Sequence, residues 1–189
     1  MATNVNYTTQ NQLLLNNLLK FYNEDDNQSR MLKIITGESK ISLRIVDWFA
    51  TNYAKKNYTL YEMTNKNGDN VRFKVYFDYK LKLKAYSKKR FDPFCRWDRI
   101  SIPYKNDTYI ETTLGQLNFF KWALENKVIN YIEENYEIIE SDMNNRNSTS
   151  KRKETIIDNS KTRKKREELS ISATKSIKKE EVEIVVKFN

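Results

Sequence analysis

The hydrophobic period along this chain changes from helical to alternating and back, and most of the architecture is legible in those changes. Over residues 9–23 (TQNQLLLNNLLKFYN), Leu13, Leu14, Leu18, Leu19 and Tyr22 recur every third or fourth residue, the spacing of one helical face. Thr9 is a ready N-cap. A second short helix is predicted over 28–37, with Gly37 as its C-terminal stop. Ser42 then caps LRIVDWFATNYAKK, which carries Ile45, Val46, Phe49 and Tyr53 on one face and Lys55 and Lys56 at its negative end.

Beyond Asn57 the period becomes two. Tyr58, Leu60 and Glu62 begin a strand, and Asn67-Gly68 is the strongest hairpin signal in the chain. Val71, Phe73, Val75, Phe77, Tyr79, Leu81, Leu83 and Ala85 then alternate with Arg72, Lys74, Tyr76, Asp78, Lys80, Lys82 and Lys84. This predicts one long strand, buried on one face and basic on the other, with a break to helix after Asp78 as the alternative. Two more short strands are expected over 98–104 and 107–111, joined at Lys105-Asn106. Thr112 or Thr113 caps the helix LGQLNFFKWALEN. Helical spacing continues over 127–142 through Val128, Ile129, Tyr131, Ile132, Ile138 and Ile139, and is expected to fade near Asn144. Alternation returns in Leu169, Ile171 and Ala173, and in Val182, Ile184, Val186 and Phe188.

The fold class so predicted is α+β: N-terminal helices, a small, mainly antiparallel sheet, a helical hairpin or long helix, then a disordered basic linker and a C-terminal β tail. The expected divisions are a core domain at 8–143, the linker at 144–168 and the tail at 169–189. The tail strand, too short to be stable alone, either returns to the domain's own sheet or adds to a protein partner through residues 182–188.

Composition narrows the chemistry. There is no histidine, and Cys95 is the single cysteine. An internal disulfide, a Cys/His zinc site and His-based catalytic triads are therefore excluded. Cations flanking Cys95 would lower its pKa, but without a histidine partner it is not read as a nucleophile. Glu133, Glu134, Glu137 and Glu140 read as a solvated helix face. No catalytic residue, metal or cofactor is expected, and the chain is read as a non-enzyme. No apolar run reaches the ~20 residues that span a bilayer, so no membrane partner is expected. MATNVNYTTQNQ lacks the basic and apolar regions of a secretory signal, and an intracellular location is expected.

Charge changes the picture most. The chain carries +9. Residues 146–166 hold nine Lys/Arg (Arg146, Lys151, Arg152, Lys153, Lys161, Arg163, Lys164, Lys165, Arg166) against Glu154 and Asp158, a net of +7. Lys151-Arg152 and Arg163-Lys164-Lys165-Arg166 have the spacing of a bipartite nuclear-import signal. The same cluster, with Lys153, suits phosphate backbones. A second group, from Arg72 to Arg99, holds Arg72, Lys74, Lys80, Lys82, Lys84, Lys88, Lys89, Arg90, Arg96 and Arg99 against Asp78, Asp92 and Asp98, again +7. Tyr76, Tyr86, Phe91, Phe94 and Trp97 are interleaved. Cations that track a backbone beside rings that stack on bases are a single-strand-binding arrangement; the competing reading is a half-exposed strand whose lysines block aggregation. Within it, KKRFDPFCRWDR (88–99) is either a recognition loop or a plug in which Phe91, Phe94 and Cys95 anchor the strand end to the core. A winged helix fits poorly, because the third helix lacks exposed base-reading side chains.

The stretches KAYSKKRFDPFCRWDRI (84–100), IETTLGQLNFFKWALENKVINYIE (110–133) and KKREELSISATKSIKKEEVEIVVKFN (164–189) resemble an uncharacterised protein family of large nucleocytoplasmic DNA viruses, mimivirus-like ones in particular, with a weaker likeness over ISLRIVDWFATNYAKKN. The resemblance implies a viral protein working in an infected cell, in the nucleus, the virus factory or the virion. It implies no mechanism. The expected function is a non-enzymatic, nucleic-acid-associated viral protein of transcription or genome packaging, bound through phosphates to DNA or RNA. The alternative is a virion structural or adaptor protein that docks through its C-terminal strand.

Overall fold

The structure, a computed structural model, describes residues 9–24, 26–64, 68–104, 109–154 and 179–180. Helix α1 (Gln10–Asn23) starts where the sequence predicts: Thr9 Oγ1 accepts a hydrogen bond from the Gln12 amide at 3.3 Å. It buries Leu18 and Tyr22. The Tyr22 hydroxyl donates to the Leu117 carbonyl at 2.6 Å, which ties α1 to a helix far along the chain. Helix α2 (Asn27–Thr36) ends at Gly37, whose φ of 80° is the left-handed conformation that a residue without Cβ takes without strain.

The third helical stretch is continuous but not uniform. Helix α3 (Leu43–Trp48), capped by the Ser42 side chain, passes through a π-helical turn (Phe49–Tyr53) into α4 (Ala54–Lys56). The Ala54 amide reaches back to the Phe49 carbonyl, the i→i−5 bond of a π turn. This wider turn keeps Val46, Phe49, Ala50 and Ala54 all buried.

Strands β1 (Leu60–Thr64) and β2 (Asn70–Lys74) pair antiparallel, from Leu60 opposite Lys74 to Thr64 opposite Asn70. The connection includes Gly68, at a φ of 89°. Tyr61 and Phe73 lie on the inner face of this hairpin, with ring centroids 5.5 Å apart, and Tyr61 stacks on Tyr131 at 5.1 Å.

The predicted long strand is corrected here. β2 ends at Lys74, and Val75 opens helix α5 (Val75–Phe91), kinked at Ser87. The pattern fits both periods: Val75, Tyr79 and Leu83 alternate with polar residues and, with Tyr86, also fall at helical spacing. Packing decides between them. As a helix, the segment places Tyr79 and Phe91 against Phe119 and Trp122, with Tyr79–Trp122 and Phe91–Phe119 centroids 5.8 and 5.9 Å apart. Phe77 and Leu81, which a strand would have shared with Tyr79, then fall outside.

Strands β3 (Arg99–Pro103) and β4 (Tyr109–Thr113) form a second antiparallel pair. Strand β5 (Lys179–Glu180) adds to the other edge of β4, with Lys179 opposite Ile110 and Glu180 opposite Tyr109. Thr113 Oγ1 accepts from the Gln116 amide and starts helix α6 (Leu114–Glu125). Nearly every α6 side chain is buried, so α6 is the central helix, packed by α1, α2, α5 and α7.

Helices α7 (Val128–Glu134) and α8 (Tyr136–Glu154) close the described core, in which Ile132, Ile139 and Met143 are buried. The sequence predicts α8 to fade near Asn144 into a disordered linker, but the helix runs on to Glu154. No Gly or Pro interrupts this stretch, and Lys151, Arg152 and Lys153 fall in its final turn. The rest of the predicted linker and Val182–Phe188 of the predicted tail lie outside the described residues. The architecture is α+β.

Candidate nucleic-acid interface

The structure does not gather the ten predicted cations from Arg72 to Arg99 on one sheet face; it divides them into groups with different work. Arg90 is a clasp. Its Nε donates to Asn11 Oδ1 at 2.8 Å and its Nη1 to Gln10 Oε1 at 2.9 Å, tying the end of α5 to the start of α1. Its carbonyl accepts from Asn118 Nδ2 at 2.9 Å, which fixes the same point to α6. Arg99 pairs with Glu111 across β3 and β4 at 2.8 Å, and Arg72 with Glu62 across β1 and β2 at 3.5 Å. Lys89 places its ammonium 3.8 Å from the ring centroid of Trp97, a cation–π contact.

Lys82 turns inward, towards a cleft of about 390 Å³ between α1, α5 and α6, lined also by Asp78, Tyr86, Asn118, Lys121 and Trp122. Asp78 accepts from Trp122 Nε1 at 2.6 Å. It is the single acidic residue of α5, and this bond holds it on the cleft side.

Lys80, Lys84 and Lys88 are the α5 cations left outside, with Lys74 at the end of β2 and Arg96 beyond the helix, all exposed. Lys80 and Lys84 are one helical turn apart. Phe77 and Leu81, 60% and 65% exposed, share their side of α5. The alternation over 71–85 disguised these two as core; a helical reading sets them opposite Tyr79. Of the predicted linker cations, Lys151, Arg152 and Lys153 fall in the last turn of α8, while Arg163, Lys164, Lys165 and Arg166 lie outside the described residues.

The 88–99 segment is a plug at its start and open at its end. Phe91 and Pro93 are buried, Phe94 and Cys95 half-buried. Asp92 Oδ1 accepts from the Phe94 amide at 2.9 Å and its carbonyl from the Cys95 amide at 3.2 Å, which closes the turn at Asp92-Pro93. Gly115 of α6 sits against this turn: a Cβ there would lie 2.8 Å from the Asp92 carbonyl oxygen and 3.0 Å from that of Lys89. Arg96 and Asp98 remain exposed.

Two carboxylates have displaced titrations. Burial, with the charge of Asp92 as the second cause, pushes Asp47 up to about 7. Asp142 is held below the usual carboxylate range chiefly by Lys56, whose Nζ lies 2.7 Å away, and by Trp48 Nε1 at 3.2 Å. Among the described residues no three His, Cys, Asp or Glu side chains are placed to hold a metal ion, and no helix is long and apolar enough to cross a membrane.

The family model of DUF7197, a family of unknown function, matches residues 1–188. The chain belongs to the DUF7197 family. Within the similarity so defined, an uncharacterized protein of Acanthamoeba polyphaga mimivirus is 45% identical over 157 residues, which cover 80% of this chain and 60% of that relative. The chain thus spans about 60% of the relative's length. The giant-virus resemblance carried by residues 84–100, 110–133 and 164–189 agrees with this match. No solved structure matches the DUF7197 chain.

Proposed function

We propose that this protein is a non-enzymatic, nucleic-acid-associated viral protein acting in transcription or genome packaging, and that α5 carries its binding face. One observation supports the reading above the rest: the outward side of α5 presents Lys80 and Lys84, with Lys88 exposed just past the kink at Ser87, while the helix's single acid is bonded to Trp122 on the other side. Such a face attracts polyanions by releasing their counterions, with little dependence on sequence. The cluster at 151–166 adds positive charge and, in this reading, also serves nuclear entry.

The adaptor reading, in which residues 182–188 dock on a partner, falls on residues outside those described; the preceding Lys179–Glu180 pairs with the protein's own β4. A salt series tests the proposal. With three or four phosphates contacted, affinity between 50 and 200 mM salt should fall roughly 40- to 150-fold for a duplex and roughly 20- to 50-fold for a single strand. The Lys80→Ala, Lys84→Ala, Lys88→Ala variant should flatten the log–log slope by about three and leave the melting temperature in place. An affinity indifferent to salt, or to these three changes, rejects the assignment of α5.

A further inference from the structure

Phosphate attraction explains the lysines of the α5 face and leaves its apolar residues without a role. Phe77 and Leu81 are exposed one turn apart, where a helix face made only to be wet would carry polar side chains. Tyr58 stands next to this helix. The Thr59 carbonyl accepts the Val75 amide at 3.3 Å, so Tyr58 and Leu60 border the first turn of α5, and Lys74 is paired opposite Leu60. Tyr58 is 80% exposed and has a φ of 48°, left-handed backbone that bulky residues seldom adopt. Neither burial nor backbone ease accounts for a tyrosine there, and strain of this kind collects at binding surfaces.

We infer that this face binds single-stranded nucleic acid, with Phe77 and Tyr58 stacking on unpaired bases while Lys74, Lys80 and Lys84 follow the backbone. The inference rests on the nucleic-acid reading above and adds the strand state. A duplex hides its base faces and offers only edges, which are read by Arg, Asn, Gln and similar polar groups. The outward positions of α5 carry Phe77, Lys80, Leu81 and Lys84, none of which is an edge reader. Rings meet base faces only when the bases are unpaired, and such stacking tolerates any sequence. Leu81 extends the apolar floor beside Phe77, and the repeat of apolar residue and cation over one turn, about 5.4 Å, supports successive contacts along a strand.

The test uses the full chain and three labelled probes of about 20 nucleotides, long enough to cover such a site: oligo-dT, a blunt duplex and an abasic strand, followed by fluorescence anisotropy. Oligo-dT should bind at least about tenfold more tightly than the other two. Phe77→Ala should cost oligo-dT roughly 5- to 150-fold and leave duplex and abasic binding unchanged. Tyr58→Ala should act in the same direction, and thermal melts should show both variants folded. If oligo-dT and the abasic strand bind equally and Phe77→Ala changes nothing, stacking is overturned while phosphate-driven binding stands. If none of the probes binds, the nucleic-acid reading fails and this inference with it. Binding of phosphatidylserine vesicles without any oligonucleotide overturns both and gives the face to an anionic lipid surface.

Discussion

Asp47 lies half-buried on α3, and the fold holds its proton far more tightly than water would. Burial disfavours its charge, and Asp92 adds a like charge nearby. The same two carboxylates help to push the Tyr79 phenol upward, after burial. Between the unfolded carboxylate value and about 7, the folded chain keeps a proton that the unfolded chain has lost, so stability falls as pH rises through that window. We expect the protein to melt at a lower temperature at pH 8 than at pH 5.5. Asp47→Asn should flatten this dependence and recover on the order of 2–4 kcal/mol at pH 8, because it removes the charge and keeps the shape. Parallel melts of the two proteins at both pH values check this; an equal slope in both would mean that Asp47 ionises freely in the fold. None of this was legible in the sequence, where Asp47 is one polar residue between Val46 and Trp48. What singles it out is its distance from water and from residue 92, and tertiary contacts alone set both.

At the scale of elements, the helices with caps were the most legible. Thr9, Ser42, Gly37 and Thr113 mark real boundaries because each satisfies backbone groups locally, and local bonds can be read from local sequence. Helix α5 was not legible in this way. Its apolar residues satisfy two periods at once, and the choice between them rests with Phe119 and Trp122, which are remote in sequence. The misreading carried the site with it: the expected basic sheet face became a helix whose lysines point in different directions, with Phe77 and Leu81 exposed between them. The end of α8 was underestimated for another reason. Dense like charge suggested disorder, but no Gly or Pro breaks the helix before Glu154.

The junction of α5 and α6 offers a direct test at this scale. Placing alanine at a helix glycine gains up to about 1 kcal/mol in helix propensity, and less in the first turn, where Gly115 stands. At Gly115 the added Cβ would meet backbone carbonyls at 2.8 and 3.0 Å, and backbone does not yield as a flexible side chain would. The clash should win, so Gly115→Ala should destabilise the protein by about 1–3 kcal/mol in urea unfolding. A gain in stability would show that the end of α5 moves freely over α6.

For the whole molecule, the distribution of charge matters more than its sum. The two basic groups, each +7, lie on α5 with its flanks and on the stretch that begins at the end of α8. On the proposed function, separate placement would let one bind a polyanion while the other meets an import receptor. A fluorescent fusion of residues 146–168 is therefore expected to concentrate several-fold in nuclei, and the Arg152→Ala, Lys164→Ala double change to disperse it. Uniform fluorescence from the unmodified fusion, scored as a nuclear-to-cytoplasmic ratio, would leave the cluster with phosphate binding alone.

Lys89 above Trp97 gives the protein an optical gauge of its own. An ammonium 3.8 Å from an indole shifts the energy of that ring's excited state, so the emission of Trp97 carries a record of where the lysine is. Trp122 is engaged elsewhere, through Asp78, and Trp48 through Asp142, with the Arg146 guanidinium 5.8 Å from its own ring centroid. On the proposed function, a polyanion that draws Lys89 away would change the colour of Trp97, and binding would become visible in unlabelled protein.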